Sequence, residues 1–164
     1  MNKKILVSAC LMGHSVRYNG TAKAHLQTVL ARLHEDQRLV IFCPELAAGL
    51  PTPRLPVEII SATGYEVMQG KAKMVEKTGN DVTQQYQLAA WLALRRAEEE
   101  GCVAALLTDG SPTCGVNQIY DGTFSGKTIQ GMGVATTLLS QSGVSVFSHS
   151  EIDELVQWLN SSER

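Results

Sequence analysis

Four short apolar runs stand out along an otherwise mixed sequence. They occupy residues 5–7, 39–42, 103–107 and 144–147. Each run is too short for a helix and consists almost wholly of apolar residues, so each predicts a buried strand.

Amphipathic stretches separate these runs. Apolar positions that recur every three or four residues predict helices over 22–35, 131–142 and 151–159. A further helix is predicted to start at a capping box, in which Asp81 is followed three residues later by Gln84, and to end at Gly101. Strands that alternate with helices indicate a parallel sheet covered on both faces. The sequence therefore predicts a single three-layer α/β domain over 1–164, with a mostly parallel, Rossmann-like sheet.

Two segments depart from this alternation. Residues 57–62 and 65–68 flank Thr63-Gly64, which predicts a hairpin appended to the sheet. Residues 109–130 form a connection longer than the roughly 12–15 residues typical of loops without a function. Ligands of open α/β sheets bind beyond the carboxyl ends of the strands, so we expect long loops at that edge to surround a site.

Composition places the chain among soluble globular proteins, with 44% hydrophobic and 18% charged residues in 164. The net charge is −2, and no Lys/Arg-rich run occurs. Because binding along a phosphate backbone needs many basic contacts, we expect no extended nucleic-acid interface. No apolar stretch approaches the length of a bilayer span, so no membrane partner is expected.

The N-terminal region resembles a compressed lipoprotein signal, because Lys3-Lys4 precede an apolar run that ends at Cys10. Only five residues separate Lys4 from Cys10, whereas the apolar core of a signal peptide needs roughly 7 or more. We therefore expect a cytoplasmic protein. In that reducing compartment, four cysteines suggest metal binding or catalysis before disulfides.

Three of the four cysteines follow predicted strands. Cys10, Cys43 and Cys114 come after the first, second and third strands, whereas Cys102 precedes the third. Since the carboxyl ends of parallel strands share one edge, we expect the first three thiols at that edge and Cys102 at the opposite one. None has CxxC spacing, so this prediction depends on topology. Thiolates in a set of three suit an iron–sulfur cluster or zinc.

Three thiolates leave one position of the expected metal centre without a protein ligand. A structural zinc site or an electron-transfer cluster is normally closed by four protein ligands. Of the four histidines, only His14 lies near a loop of the expected site, where a solvated loop residue is the simpler interpretation. A metal that keeps an open position is typical of a catalytic centre.

Polar side chains in the same loops are candidates for the chemistry. Glu45, two residues after Cys43, is the best candidate for a general base, because a carboxylate beside a mostly buried site is suited to proton transfer. Further candidates for binding a small polar ligand are Ser8, Arg17, Asp109 and Ser111.

Five short motifs, taken in order, resemble the thiouracil desulfidase family. They are Ser8-x-Cys10-Leu11-x-Gly13 with Arg17-Tyr18-x-Gly20, Cys43-Pro44-Glu45, Gly49-Leu50-Pro51-x-Pro53-Arg54, Gly79-x-Asp81-Val82-Thr83 and Ser111-Pro112-x-Cys114-Gly115. The resemblance runs from about residue 5 to residue 147, nearly the whole chain.

The resemblance implies a compact α/β fold and an oxygen-labile [4Fe–4S] cluster on Cys10, Cys43 and Cys114, with one iron that no protein ligand binds. It gives Glu45 the acid/base role and Ser111 the role of the site serine. It implies an enzyme that hydrolyses the C–S bond of a thiolated pyrimidine base or nucleoside, such as 2-thiouracil, to the carbonyl product and hydrogen sulfide. The alternatives that use the same cysteines are a non-enzymatic iron–sulfur module and a zinc-binding module or hydrolase.

Overall fold

The computed structural model describes residues 3–12, 20–50 and 55–162. The strands are Lys4–Ser8 (β1), Leu39–Phe42 (β2), Val57–Ile59 (β3), Met74–Glu76 (β4), Cys102–Leu107 (β5), Gln118–Tyr120 (β6), Thr128–Gln130 (β7) and Ser145–Ser148 (β8). The α-helices are Gly20–Glu35 (α1), Pro44–Ala47 (α2), Gly64–Met68 (α3), Thr83–Glu100 (α4), Val134–Gln141 (α5) and Ile152–Ser162 (α6). Short 3₁₀ helices cover Ala9–Met12 and His149–Glu151.

Four strands form a central sheet in the order β2-β1-β5-β8. Every neighbouring pair in it is parallel, with Ser8 opposite Phe42 and Val7 opposite Leu106. These are the four strands predicted from the apolar runs. The predicted α/β fold with a parallel, Rossmann-like sheet is confirmed.

Successive residues of the central strands point to opposite faces of the sheet, and each face is covered by helices. Ile5 and Val7 pack in a core cluster with the apolar faces of α1 and α6. Leu6, between them, packs in a second cluster with α4 and α5. This alternation explains the apolar runs of the central strands β1 and β5, because both of their faces lie in a core.

The predicted hairpin over 57–68 is wrong in its second half. β3 pairs in antiparallel fashion with β4, and residues 65–68 belong to helix α3. The cause is local, because Glu66 accepts hydrogen bonds from the amide and the hydroxyl of Thr63, at 2.8 and 2.9 Å. This capping interaction starts a helix where the apolar pattern alone indicates a strand.

Helix α4 agrees with its prediction at the C-terminus and differs at its start. Gly101 ends it in the left-handed conformation, with φ of 69°. At the other end Asp81 accepts hydrogen bonds from the amide and hydroxyl of Thr83, and Val82 occupies the N-cap position without a side-chain bond. The predicted capping box is therefore wrong. Neither α4 nor any other helix of the described residues combines the length and apolar character needed to cross a membrane.

The long connection over 109–130 contains an ordered hairpin, β6–β7, which the sequence analysis did not predict. Ile119 is fully buried and pairs with Ile129 across the hairpin. Gly110 forms an isolated bridge with Ile119, so the connection folds back over the carboxyl end of β5. The hairpin thereby shares a cavity with Glu45, in the segment that follows β2.

Candidate functional site

Three thiols lie at the carboxyl edge of three adjacent strands. β1 is central, with β2 on one side and β5 on the other. Cys10 lies in the 3₁₀ turn after β1, Cys43 directly follows β2, and Cys114 lies in the loop after β5. Cys10 is exposed, Cys43 is half-buried and Cys114 is 5% exposed.

The electrostatics of Cys114 show that these groups share one site. Burial is the main cause that raises the pKa of the Cys114 thiol. Negative charge on Glu45, Cys10 and Cys43 raises this pKa further, and a hydrogen bond from Ser8 lowers it. Such interactions require proximity. One carboxylate and three thiols therefore converge at this edge of the sheet.

Hydroxyl groups lie against the sulfur of Cys10. Its Sγ is 2.8 Å from Thr108 Oγ1 and 3.2 Å from Ser8 Oγ. Ser8 is the last residue of β1 and is 5% exposed, and it is not among the residues that line the cavity described below. Its hydroxyl is thus directed to the thiols.

Helix α5 fixes the backbone around Cys114. The amides of Val134 and Ala135, in its first turn, donate to the carbonyls of Pro112 and Thr113, each at 2.9 Å. The hydroxyl of Thr136 donates to the Cys114 carbonyl at 3.0 Å. These bonds satisfy both the free amides of the helix terminus and the carbonyls of the loop.

Glycine is required on both sides of this contact. A Cβ atom on Gly115 would lie 2.6 Å from the carbonyl oxygens of Ser111 and Gln118. A Cβ atom on Gly133 would lie equally close to the carbonyl oxygen of Pro112. The loop and the helix therefore approach each other at a distance that no side chain allows.

The segment Cys43-Pro44-Glu45 changes direction at the end of β2. Cys43 has extended backbone angles and serves as the N-cap of the short helix α2, with Pro44 at its first position. Proline is favoured there because it has no amide to leave unpaired, and a carboxylate in the first turn is favourable too. This turn carries Glu45 to the wall of a cavity.

The cavity has a volume of about 590 Å³ and opens at the same edge of the sheet. Its size lies in the range of small-molecule sites. One part of its wall consists of Glu45, Ser111 and Pro112, which lie within three positions of Cys43 and Cys114. The remaining lining residues are Leu55, Pro56, Val57, Glu58, Lys77, Tyr86, Asp109, Gly110, Tyr120, Phe124 and Gly126.

Ser111 and Asp109 both bind the backbone of their own loop. Ser111 Oγ accepts hydrogen bonds from the amides of Thr113 and Cys114, each at 3.1 Å. Asp109 Oδ1 accepts from three successive amides, those of residues 116–118, at 2.9, 3.0 and 3.1 Å. Both side chains also line the cavity, so they shape the Cys114 loop and the cavity wall together.

Other predicted positions lie elsewhere. Arg17 and Arg54 of the motifs, and likewise His14, lie outside the described residues. Cys102 is at the start of β5, paired with Lys4, and burial raises the pKa of its thiol to about 11. It lies at the sheet edge opposite the other three cysteines.

The structure adds residues that the sequence analysis missed. Thr108 is one of them, although it directly follows β5 and the strand-end rule that selected the cysteines applies to it too. Tyr120 and Phe124 bring aromatic rings to the cavity wall, and their presence in a long glycine-containing loop was a signal. Lys77 gave no signal in the sequence.

The surroundings of Cys114 include an unusual polar group. The Thr113 hydroxyl is buried and has no hydrogen-bond partner within the described part of the chain. In the same part, no three His, Cys, Asp or Glu side chains are arranged to hold a single metal ion.

A family model described as 2-thiouracil desulfurase matches residues 5–151. The chain belongs to this family. The membership confirms the resemblance drawn from the five motifs, and the 2-thiouracil desulfurase match covers the three strand-end cysteines, Glu45 and Ser111.

Two proteins illustrate the relationship. The uncharacterized protein YbbK of Bacillus subtilis (strain 168) is 44% identical over 152 residues, which are 93% of this chain and 99% of YbbK. The solved structure of TudS, a [4Fe–4S]-dependent thiouracil desulfidase, superposes with a TM-score of 0.80 at 37% identity. The match covers 97% of this chain and 99% of TudS. The fold is thus similar to that of a desulfidase over nearly the whole length.

Proposed function

We propose that this protein is a [4Fe–4S]-dependent desulfidase that hydrolyses the C–S bond of a thiolated pyrimidine such as 2-thiouracil. The observation that carries the proposal is the convergence of Cys10, Cys43 and Cys114 with Glu45 at one edge of the sheet, where Glu45 also lines the cavity. Membership of the 2-thiouracil desulfurase family and the likeness to TudS support it.

Cys10, Cys43 and Cys114 would hold the cluster. Each cysteine of such a cluster binds a different iron, so the three sulfurs need no arrangement around one ion. Hydroxyl groups beside the sulfurs and a buried Thr113 hydroxyl without a partner in the described residues also suit a group that accepts hydrogen bonds. When bound, the cluster supplies Lewis acidity towards the substrate's sulfur at the iron that has no protein ligand.

Glu45 acts as the general base in this proposal. It lies on the cavity wall and within electrostatic range of Cys114, so it is near both the substrate and the thiolates. Its carboxylate takes a proton from a water molecule, whose oxygen attacks the carbon of the thiocarbonyl group. The short helix that begins at Pro44 keeps this carboxylate on the cavity wall.

Ser111 binds the ring or the charge that develops on it. Its oxygen already accepts two amide hydrogen bonds. Its hydroxyl proton is therefore available to donate a hydrogen bond to the substrate. The same two bonds join Ser111 to the backbone of Cys114. The serine is therefore positioned relative to a cluster ligand.

The reaction balances without an electron donor. Water and the thiocarbonyl compound give the carbonyl compound and hydrogen sulfide; one C–S bond is replaced by a C–O bond. The two protons of water end on the leaving sulfide, one of them by way of Glu45. The aromatic side chains of Tyr120 and Phe124 form an apolar part of the cavity wall, which suits a planar heterocycle.

Anaerobic reconstitution tests this function. Protein supplied with iron and sulfide should turn brown and release sulfide from 2-thiouracil. Alanine at Cys10, Cys43 or Cys114 should abolish both colour and turnover. Parallel assays with 4-thiouracil and with thiolated nucleosides determine which form of the base is used. Exposure to air should bleach the protein and remove its activity.

The alternatives predict other results. A zinc hydrolase would be colourless and would keep its activity in air. An iron–sulfur module without enzymatic function would be brown but would release no sulfide from any thiolated base. Either result would overturn the proposal.

A further inference from the structure

Thr108 and Ser8 stand in hydrogen-bond contact with a proposed cluster ligand. The distances to Cys10 Sγ are 2.8 Å from Thr108 Oγ1 and 3.2 Å from Ser8 Oγ. When Cys10 is a protonated thiol, either its sulfur or the hydroxyl oxygen can donate the hydrogen bond. A metal-bound thiolate carries no proton, so the two hydroxyls must then donate to the sulfur.

Ser8 is buried beside the cysteines. It is 5% exposed, and its hydroxyl lies 3.2 Å from Cys10 Sγ. Ser8 also lowers the pKa of the Cys114 thiol. A buried hydroxyl needs a partner, because leaving it unpaired is costly. Ser8 therefore lies close to the ligands contributed by the loops after β1 and β5.

The sheet fixes where these hydroxyls lie. Ser8 is the last residue of β1, and Thr108 directly follows β5. The two strands are parallel neighbours, with Val7 opposite Leu106. Both hydroxyls are thus placed by the ladder of the central sheet, which is a more rigid support than the surrounding loops.

We propose that Ser8 and Thr108 are positioning residues that donate hydrogen bonds to the cluster thiolates and set the reduction potential of the cluster. The inference rests on the proposed function, since it requires that the cysteines bind a cluster. A reduced cluster carries one more negative charge than the oxidised cluster. Hydrogen bonds to its sulfurs therefore stabilise the reduced form more and raise the potential.

This role has a consequence for a reaction without net electron transfer. The cluster must keep one oxidation state through many turnovers, and a higher potential makes loss of an electron to oxygen harder. The same hydrogen bonds withdraw electron density from the thiolates, so the iron remains a stronger Lewis acid. Ser8 and Thr108 would thus protect the cluster from oxidation and keep its iron a stronger Lewis acid, without touching the substrate.

The test compares reduction potentials of anaerobically reconstituted protein, measured by redox titration with optical and paramagnetic-resonance detection. Thr108→Val keeps the shape of the side chain and removes its hydroxyl. We expect its reduction equilibrium to become about tenfold less favourable, which for one electron is a shift of about 59 mV to lower potential. Ser8→Ala should shift it in the same direction, and both variants should bleach faster in air.

Two matched variants give the controls. Thr108→Ser retains a hydroxyl and should keep a potential near that of the wild type. Thr136→Val removes a buried hydroxyl that donates to the carbonyl of Cys114 rather than to a sulfur, and should leave the potential unchanged.

The outcomes separate this inference from the proposed function. A wild-type protein that takes up no cluster would overturn both. A loaded Thr108→Val variant with the wild-type potential would overturn the inference alone. A shift in Thr136→Val equal to that in Thr108→Val would do the same, because the effect would then come from the loop and not from the sulfur. If Ser8→Ala fails to fold, the reduction potential of Thr108→Val still tests the inference.

Discussion

The carboxylate of Glu58 accepts a hydrogen bond of 2.9 Å from the backbone amide of Gly122. The same oxygen accepts a second bond, of 3.1 Å, from the amide of Phe124. Glu58 is 7% exposed, so this loop covers its carboxylate. Because Phe124 lines the cavity, a carboxylate on β3 determines where an aromatic part of the cavity wall lies.

Glu58→Ala should therefore weaken substrate binding. The change leaves two backbone amides without their acceptor, and a buried donor without a partner costs about 1–3 kcal/mol. We expect a lower free energy of unfolding in urea and a KM for 2-thiouracil that is raised several-fold, with unchanged iron content. Asp121→Asn is the control, since that half-buried side chain in the same loop accepts its hydrogen bonds from Thr123 and not from the amides that Glu58 binds. A wild-type KM in Glu58→Ala would show that the loop does not shape the site.

The fold was largely predictable because its two central strands, β1 and β5, are buried on both faces. Such strands leave continuous apolar runs, and all four runs became the central sheet. The appended segments were harder, because their conformation depends on single polar contacts. Thr63 and Glu66 start a helix where the residues around them are apolar enough for a strand.

Only those residues of the site whose position follows from the order of the strands were predictable from the sequence. The rule that ligands bind beyond the carboxyl ends of strands selects Cys10, Cys43 and Cys114 and sets Cys102 apart. It does not select Phe124 or Lys77, which reach the cavity from a hairpin and from a turn near β4. Those contacts arise from tertiary packing between segments distant in sequence, which no local pattern records.

Cys102→Ala should retain cluster and activity. Cys102 begins β5, at the end of the strand opposite the cluster loops, and burial raises the pKa of its thiol to about 11. It therefore remains a protonated, small apolar side chain at neutral pH. We expect wild-type iron content and sulfide release, with a loss of stability of about 1 kcal/mol. Cys114→Ala is the comparison that should lose both. Loss of iron in Cys102→Ala would contradict the assignment of the ligands by strand edge.

Stability should decrease in mild acid through His149. Burial lowers the pKa of His149 below its usual value of 6.5, and Asp109 partly opposes this shift. Above pH 6.5 the residue is mostly neutral in both folded and unfolded chains, so its contribution is fully present. As the pH falls from 6.5 towards the lower pKa of the folded state, the unfolded chain binds the proton first, and the free energy of unfolding decreases.

Urea unfolding at about pH 7.5 and about pH 5.5 measures this effect. His149→Gln should lose part of the decrease that the wild type shows between the two conditions. His34 is exposed on α1, so His34→Gln should keep the wild-type difference. Equal differences in wild type and His149→Gln would show that other groups cause the pH dependence.

Glu45→Gln separates catalysis from cluster binding. The substitution keeps the volume of the side chain on the cavity wall but removes its ability to accept a proton. Loss of general-base help typically costs about 10²–10⁴-fold in rate. We expect kcat for sulfide release from 2-thiouracil to fall within that range, while iron content and visible absorption stay at the wild-type level. Substrate binding, measured under anaerobic conditions, should change little.

Two further variants make this prediction specific. Glu45→Asp keeps a carboxylate that is shorter by one methylene, and should retain partial activity when a water molecule bridges the gap. Glu154→Gln removes a carboxylate that is exposed on α6, and should behave like the wild type. Near-wild-type turnover in Glu45→Gln would transfer the base role to another group, with Asp109 the next carboxylate on the cavity wall. A loss of iron in Glu45→Gln would instead make Glu45 a ligand or a structural support of the cluster, and the iron proposed to be open would then have a protein ligand.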